Sequence, residues 1–383
     1  MALENIVVYK GTDYHSAFPH IYRLQNSDLV VIFRQARTRP GRGTAGERDE
    51  TLSHHHLDPD SRLSMVRSTD DGRTWDPDSP VIIDESDGSQ DLNMGMIGQL
   101  SSGELLVNNH RWFTGLSQER MKELTKTRSY LPRPNVPPYS EQWFGEIVYD
   151  GAYLTRSNDN GHTWGEPEGL SFGDLAFMTH TGKDGVLELP DGTILLMVNG
   201  HCADGETGQT FVVRSRDGGR TWGEPSTVAN DPEQRVGFGE PPMVRLASGK
   251  LLTMMRTSAD GGVLYQASSN DDGWVWSGVR RTPIWGFPCH LLQLRSGTVV
   301  CVYGYRREPW GVRATLSHDD GETWDIGREI VLRDDGIHRD LGYPASVQLE
   351  DDRILTIYYF HGDDGIRFIA GTIWSEDDPP RGF

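Results

Sequence analysis

Five copies of one eight-residue pattern, Ser-x-Asp-x-Gly-x-Thr-Trp, constrain this chain more than any other feature of its sequence. They run Ser68–Trp75, Ser157–Trp164, Ser215–Trp222, Ser269–Trp276 and Ser317–Trp324, with Val275 replacing the threonine in the fourth. Each copy has a mechanical reading. The aspartate accepts hydrogen bonds from backbone N–H groups of a tight turn, the glycine supplies a positive φ, and the tryptophan buries a large apolar face beneath the turn. Such a unit clasps two strands together, and none of its residues is a candidate for chemistry.

A second repeat alternates with the first. Short apolar runs flank a tight polar turn at Gln25 to Asp28, and the arrangement recurs around Ser102-Gly103, Asp191-Gly192, Ser248-Gly249, Ser296-Gly297 and Asp351-Asp352. These are six hairpins, each marked by the turn residues that a right-twisted strand pair prefers. The turn glycines Gly192, Gly249 and Gly297 are 57 and 48 residues apart, and the clasp glycines Gly161, Gly219, Gly273 and Gly321 are 58, 54 and 48 apart. One hairpin and one clasp therefore share each period.

The clasp pattern resembles the Asp-box of the sialidase (neuraminidase) superfamily. The resemblance implies an all-β, six-bladed β-propeller in which each box joins the two outer strands of one blade, on the side away from the catalytic face. Six hairpins with five boxes leave the last blade without one, its third strand running Ile366 to Trp374. Its outer strand is then Glu4 to Tyr9 from the N-terminus, which closes the ring and leaves no sheet edge open. The whole chain of 383 residues reads as one such domain.

Two stretches break the period, at about 37–60 and 110–145. The first is polar and rich in Arg, Gly and Asp; the second holds a possible short helix from Gln118 to Thr127 and a proline-rich segment. Both follow the second strand of their blades and so rise from one face, where long loops on a rigid scaffold usually carry binding function.

The formal net charge of −19 disfavours nucleic acid and anionic membrane surfaces as partners, and no apolar run approaches transmembrane length. It leaves room for an anionic small ligand in an arginine-lined pocket. Cys202, Cys289 and Cys301 are scattered, which points to free thiols and away from a disulfide framework or a zinc site. His54-His55-His56 reads as a solvated loop, because consecutive residues rarely converge on one ion. No metal or other cofactor is implied. Nothing at the start of the chain reads as a signal peptide, so the expected location is cytoplasmic, or secreted with a signal already removed. The oligomeric state is not legible.

Residues flanking the hairpins converge on the central axis and are rich in Arg and His. By the resemblance, Glu240 before the first strand of blade four stands where the family keeps its general base, and Arg256 after the second strand where it keeps a carboxylate-binding arginine. Tyr343 in Asp340-Leu341-Gly342-Tyr343-Pro344 matches the nucleophilic tyrosine of blade six. From Arg306-Arg307, Arg307 is the expected last substrate arginine, and Phe33-Arg34-Gln35-Ala36-Arg37 makes Arg37 a further substrate ligand. The acid/base aspartate should ride on the first long loop, which offers Asp49, Asp58 and Asp60, with Asp49 favoured by its spacing from the first box. One departure stands out. Where the family has an aromatic followed by Arg-Ile-Pro, this chain reads Ala17-Phe18-Pro19-His20-Ile21, so His20 is expected to take over as a ligand.

These residues imply an exo-acting, retaining glycoside hydrolase for a terminal acidic sugar such as a sialic acid. A neutral tyrosine primed by a glutamate is not repelled by the substrate carboxylate, and arginines grip that carboxylate in planar fashion. Two alternatives remain: a lyase on uronate-containing glycans using His or Tyr with Arg, and a glycan-binding propeller without chemistry.

Overall fold

The computed structural model describes residues 3–37, 58–114, 148–172, 180–201, 208–257 and 261–378, with short pieces at 117, 119–120, 123–124 and 175. Asp49, His54 to His56, Cys202 and most of both long loops, including most of the expected helix, lie outside the described residues. The described part is a six-bladed β-propeller built from six antiparallel sheets.

Each blade winds outward from the central channel in chain order. Blade one is Tyr14–Arg23, Leu29–Arg37, Ser61–Ser68 and Val81–Glu85. Blade two is Gln90–Gln99, Leu105–Phe113, Val148–Ser157 and Glu168–Gly169. In blade three the innermost strand is interrupted, with His180–Thr181 and Leu187–Glu188 both pairing Ile194–His201, followed by Gly208–Ser215 and Gly223–Ala229. Blade four repeats that interruption with Phe238–Gly239 and Met243–Arg245 against Leu251–Thr257, then Val263–Ser269 and Arg280–Trp285. Blade five is Cys289–Gln293, Val299–Tyr305, Gly311–Ser317 and Ile330–Arg333. Blade six is Gly342–Gln348, Ile354–His361 and Arg367–Trp374, and its outermost strand is Glu4–Tyr9. Glu4 pairs with Ile373 and Val7 with Ala370, so the N-terminal strand does close the ring.

The middle strands are buried on both faces, which is why runs such as Leu29 to Phe33 and Ile354 to Phe360 are almost continuously apolar. Their side chains fall into six buried clusters, one between each pair of neighbouring blades. Phe33, Val31, Leu355 and Tyr359 lie between blades six and one, and Ile32, Leu63, Ile97 and Val107 between one and two.

All five boxes fold alike. In the first, Asp70 Oδ1 accepts the Thr74 N–H at 2.9 Å, Asp70 Oδ2 accepts the Thr74 hydroxyl at 2.6 Å, and the Gly72 N–H donates to Ser68 Oγ at 2.9 Å. The residue before each box glycine is also left-handed, from Asp71 at φ 59° to Asp320 at 55°. Each box tucks against the preceding blade: a Cβ on Gly321 would sit 2.6 Å from Leu252, and one on Gly161 3.0 Å from Met65. Basic side chains of that blade then cap the box. Arg156 donates to Gly218 O and Gly219 O at 2.9 and 2.8 Å, and Lys250 to Asp320 O at 3.1 Å. A clasp within one blade is thus also a rivet between two.

Candidate active site

The innermost strands do not run smoothly past the channel. Phe18, Met94, Glu240 and Tyr343 stand at corresponding places in blades one, two, four and six, and all four have left-handed φ values of 55°, 38°, 51° and 50°. The strand register slips at three of these points, between Ala17 and His20, Asn93 and Met96, and Gly342 and Ala345. Three of the four precede a proline, whose ring denies the preceding residue right-handed helical values. A left-handed bulge costs an L-residue about 1–2 kcal/mol, and residues held this way gather at functional sites.

The bulges bring Glu240 and Tyr343 together. The Tyr343 hydroxyl donates to Glu240 Oε1, and Arg256 Nη1 donates to Glu240 Oε2 at 2.9 Å. Burial alone would raise the Glu240 carboxyl, but the Arg256 charge and the hydrogen bonds from Tyr343 and Arg256 hold it below its ordinary value. Burial and then the Glu240 charge push the Tyr343 phenol well above its ordinary value, against the pull of Arg256 and Arg306. The pair therefore rests as a neutral phenol on a carboxylate acceptor. Phe287 lies between the two cations, 4.5 Å from Arg256 and 5.6 Å from Arg306, and the Arg306 guanidinium is 5.8 Å from the Tyr343 ring. Arg306 is held by two bonds to Leu341 O, at 3.2 and 3.0 Å, and one to the Tyr359 hydroxyl at 3.3 Å. Chemically, the arrangement offers a tyrosine oxygen with an adjacent base, beside two guanidinium groups that can receive an anion.

Blade three supplies the floor. Gly182 and Gly185 let its backbone press on its neighbours: a Cβ on Gly182 would sit 2.7 Å from Pro241 O, and one on Gly185 2.2 Å from Ile97 O. Between them Lys183 and Asp184 dip into the channel. The Lys183 ammonium donates to Pro344 O, next to Tyr343, and lies 5.9 Å from the Tyr343 ring. Burial brings it down from 10.5 to about 8, against the pull of Asp184. Asp184 faces the other way, toward His20 and His290.

Two expected ligands are placed elsewhere. Arg307 is exposed and stacks on Trp285 at 3.7 Å, and it is Arg306 that faces the Tyr–Glu pair. Adjacent residues leaving a strand diverge, and the bonds to Leu341 and Tyr359 choose between them. His20 lies beneath, because the two-residue bulge at Phe18 and Pro19 shifts the pleat. Phe18 packs on Tyr343 at 4.6 Å in its stead. Arg37 ends its strand exposed, over the Tyr14 ring at 5.8 Å. Asp58 is buried, its N–H bonded to Asp91 Oδ1 at 3.0 Å, and that carboxylate is paired with the buried Arg34. Phe18, Lys183, Asp184 and Arg306 went unselected in the sequence. The recurring X-Pro dipeptides Phe18-Pro19, Glu240-Pro241 and Tyr343-Pro344 were the signal that could have found three of the four bulge positions.

Residues 136–357, more than half of the chain, match the family described as a BNR repeat-like domain. Among solved structures, a protein of unknown function from Dyadobacter fermentans is 29% identical, with a TM-score of 0.80 over 97% of this chain and 98% of that one. A variant of NanB sialidase from Streptococcus pneumoniae has a TM-score of 0.68 at 13% identity, over 97% and 71% of the two chains. An alpha-L-arabinanase from Penicillium chrysogenum, complexed with arabinobiose, has 0.63 at 14%, over 99% and 100%. No curated protein matches the sequence. The last two structures are likenesses of fold, and that fold is the sialidase-like propeller.

Proposed function

The chain belongs to the BNR repeat-like domain family, and from that premise we propose that it is an exo-acting, retaining glycoside hydrolase for a terminal acidic sugar. The observation that carries this reading is the Tyr343–Glu240 hydrogen bond, with Arg256 on the second carboxylate oxygen. Tyr343 Oη attacks the anomeric carbon and its proton passes to Glu240 Oε1, so the nucleophile is neutral until it reacts. The substrate carboxylate lies against Arg256 and Arg306, flanking Phe287. An acid, for which Asp49 remains the candidate, protonates the departing oxygen. Water then gives a proton to the carboxylate left by that acid and cleaves the glycosyl–tyrosine bond, and Glu240 returns its proton to Tyr343. The role of Lys183 is to hold the backbone after Tyr343 and to offset negative charge growing on its ring.

Incubation with sialosides and uronate-containing glycans in oxygen-18 water, read by mass spectrometry, tests the reading. It is upheld by one oxygen-18 atom in a released acidic sugar of retained configuration. Unlabelled cleavage with a new ultraviolet-absorbing double bond would replace it with the lyase reading, and binding without cleavage would replace it with a glycan-binding one.

A further inference from the structure

The channel has a second mouth, on the face of the hairpin turns and boxes. A cavity of about 600 Å³ opens there. Its inner end is built from three blades: His20 of blade one, Asp184 of blade three and His290 of blade five. The Nε2 atoms of His20 and His290 lie 3.5 and 3.6 Å from the same oxygen, Asp184 Oδ1. These separations exceed a good N–H···O hydrogen bond. They suit atoms that face one common guest, which could be a metal ion or an oxygen atom.

The far side of each ring decides between these. His20 Nδ1 accepts the Ile97 N–H, and His290 Nδ1 accepts the Ser346 N–H, both at 3.3 Å. A backbone nitrogen can only donate, so each Nδ1 carries the lone pair and each neutral ring bears its proton on Nε2. A ligating histidine has the opposite polarity, with its lone pair on the ion and its N–H on a carbonyl or carboxylate. The cluster is wired against a metal. Its two N–H donors and one carboxylate acceptor complement a hydroxyl, which has two lone pairs and one proton. Asp184 Oδ2 is already occupied by the Met243 N–H at 2.7 Å, whereas the buried Oδ1 has only the long contacts to the two Nε2 atoms. Burial brings His290 down to about 3, so it is neutral at physiological pH, as this arrangement requires.

We propose that this second mouth binds a neutral, hydroxyl-rich small molecule, a polyol or monosaccharide. One hydroxyl accepts from His20 Nε2 and His290 Nε2 and donates to Asp184 Oδ1. Tyr22, Val186, Leu291 and Val347 line the cavity and can meet the C–H faces of such a ligand. The Asp184 carboxylate would repel an acidic sugar, so the ligand differs from that of the opposite face, and the site does not depend on the reading given to Tyr343 and Glu240.

The test titrates xylitol and L-arabinose into the nitrogen-15-labelled full chain, read on the imidazole N–H signals of His20 and His290. Expected are saturable shifts of both rings, unchanged in Tyr343→Phe and about tenfold weaker in Asp184→Asn, which removes the charged acceptor. Since Asp184 also holds Met243, that variant can fail to fold. Ser101→Trp is therefore the second variant: it narrows the mouth from an exposed position, and it should weaken binding while leaving the rings in place. The proposal is overturned if neither compound shifts the rings, if Ser101→Trp leaves the affinity unchanged, or if Zn²⁺ alone gives the saturable response.

Discussion

Tyr343 and Glu240, from blades six and four and 103 residues apart in the chain, share a hydrogen bond across the channel. Replacing Tyr343 by Phe removes that bond and leaves the ring packed on Phe18 and Tyr359. Turnover should fall by roughly 10³-fold or more, while the thermal midpoint moves by only a few degrees. Steady-state kinetics beside a melting curve checks both, and a variant with full activity would remove Tyr343 from the mechanism.

Arg306→Ala and Arg307→Ala, made side by side, read the placement of the two arginines. Arg306 lies by the pair and Arg307 on Trp285. The first should lower kcat/KM for acidic substrates about 10²-fold, the cost of one charge-assisted contact of 2–3 kcal/mol. The second should stay within roughly twofold. The reverse order would return the substrate site to Arg307.

Two groups give the pH dependence a sign. Glu240 acts as a base only when ionised, and its carboxyl is held below its ordinary value. Activity should therefore persist through mildly acidic pH and fall only as pH drops through that lowered value. The same group contributes stability that is present above its unfolded pKa and lost as pH falls through the folded one.

Lys183 shifts stability in the same direction for the opposite reason, since burial favours its neutral form and gives a folded value of about 8 below its ordinary 10.5. Between these the unfolded chain binds the extra proton, so stability rises with pH, by up to roughly 3 kcal/mol. The melting temperature of the protein minus that of Lys183→Met should thus grow from pH 8 toward pH 10. A flat difference would mean that Lys183 is not strained by burial.

Deleting residues 1–10 strips the outer strand from blade six. Val8 and Tyr9 are buried there, at 1% and 7% exposure, and each contributes about 1.5–3 kcal/mol by burial alone. The thermal midpoint should drop by about five degrees, and an unchanged value would show that the ring closes without the strand.

Val275→Thr supplies the hydroxyl that the fourth box lacks. In the first, second, third and fifth boxes that hydroxyl donates to the box aspartate at 2.6 Å, whereas in the fourth Asp271 accepts only the Val275 N–H from this position. The substitution is exposed and should stabilise by about 0.5–1 kcal/mol. Denaturant unfolding at fixed slope measures it, and a neutral result would mean that the backbone bond suffices.

The propeller was legible because its signals are local and repeated. A box needs only its own eight residues to form its turn, so Asp70, Gly72 and Trp75 mean the same thing wherever they occur. Ring closure followed from counting, since one blade lacked an outer strand and one N-terminal strand lacked a sheet. The pairing of Glu240 with Tyr343 was within reach through family resemblance. Choosing between neighbours was not. Arg306 over Arg307, Phe18 over His20 at the site, and the descent of Lys183 and Asp184 into the channel each depend on a bulge or a glycine contact with another blade. Local turn chemistry is encoded in adjacent residues. Which of two adjacent side chains faces the channel is set by backbone partners tens to hundreds of residues away, and only the closed ring brings those partners into contact.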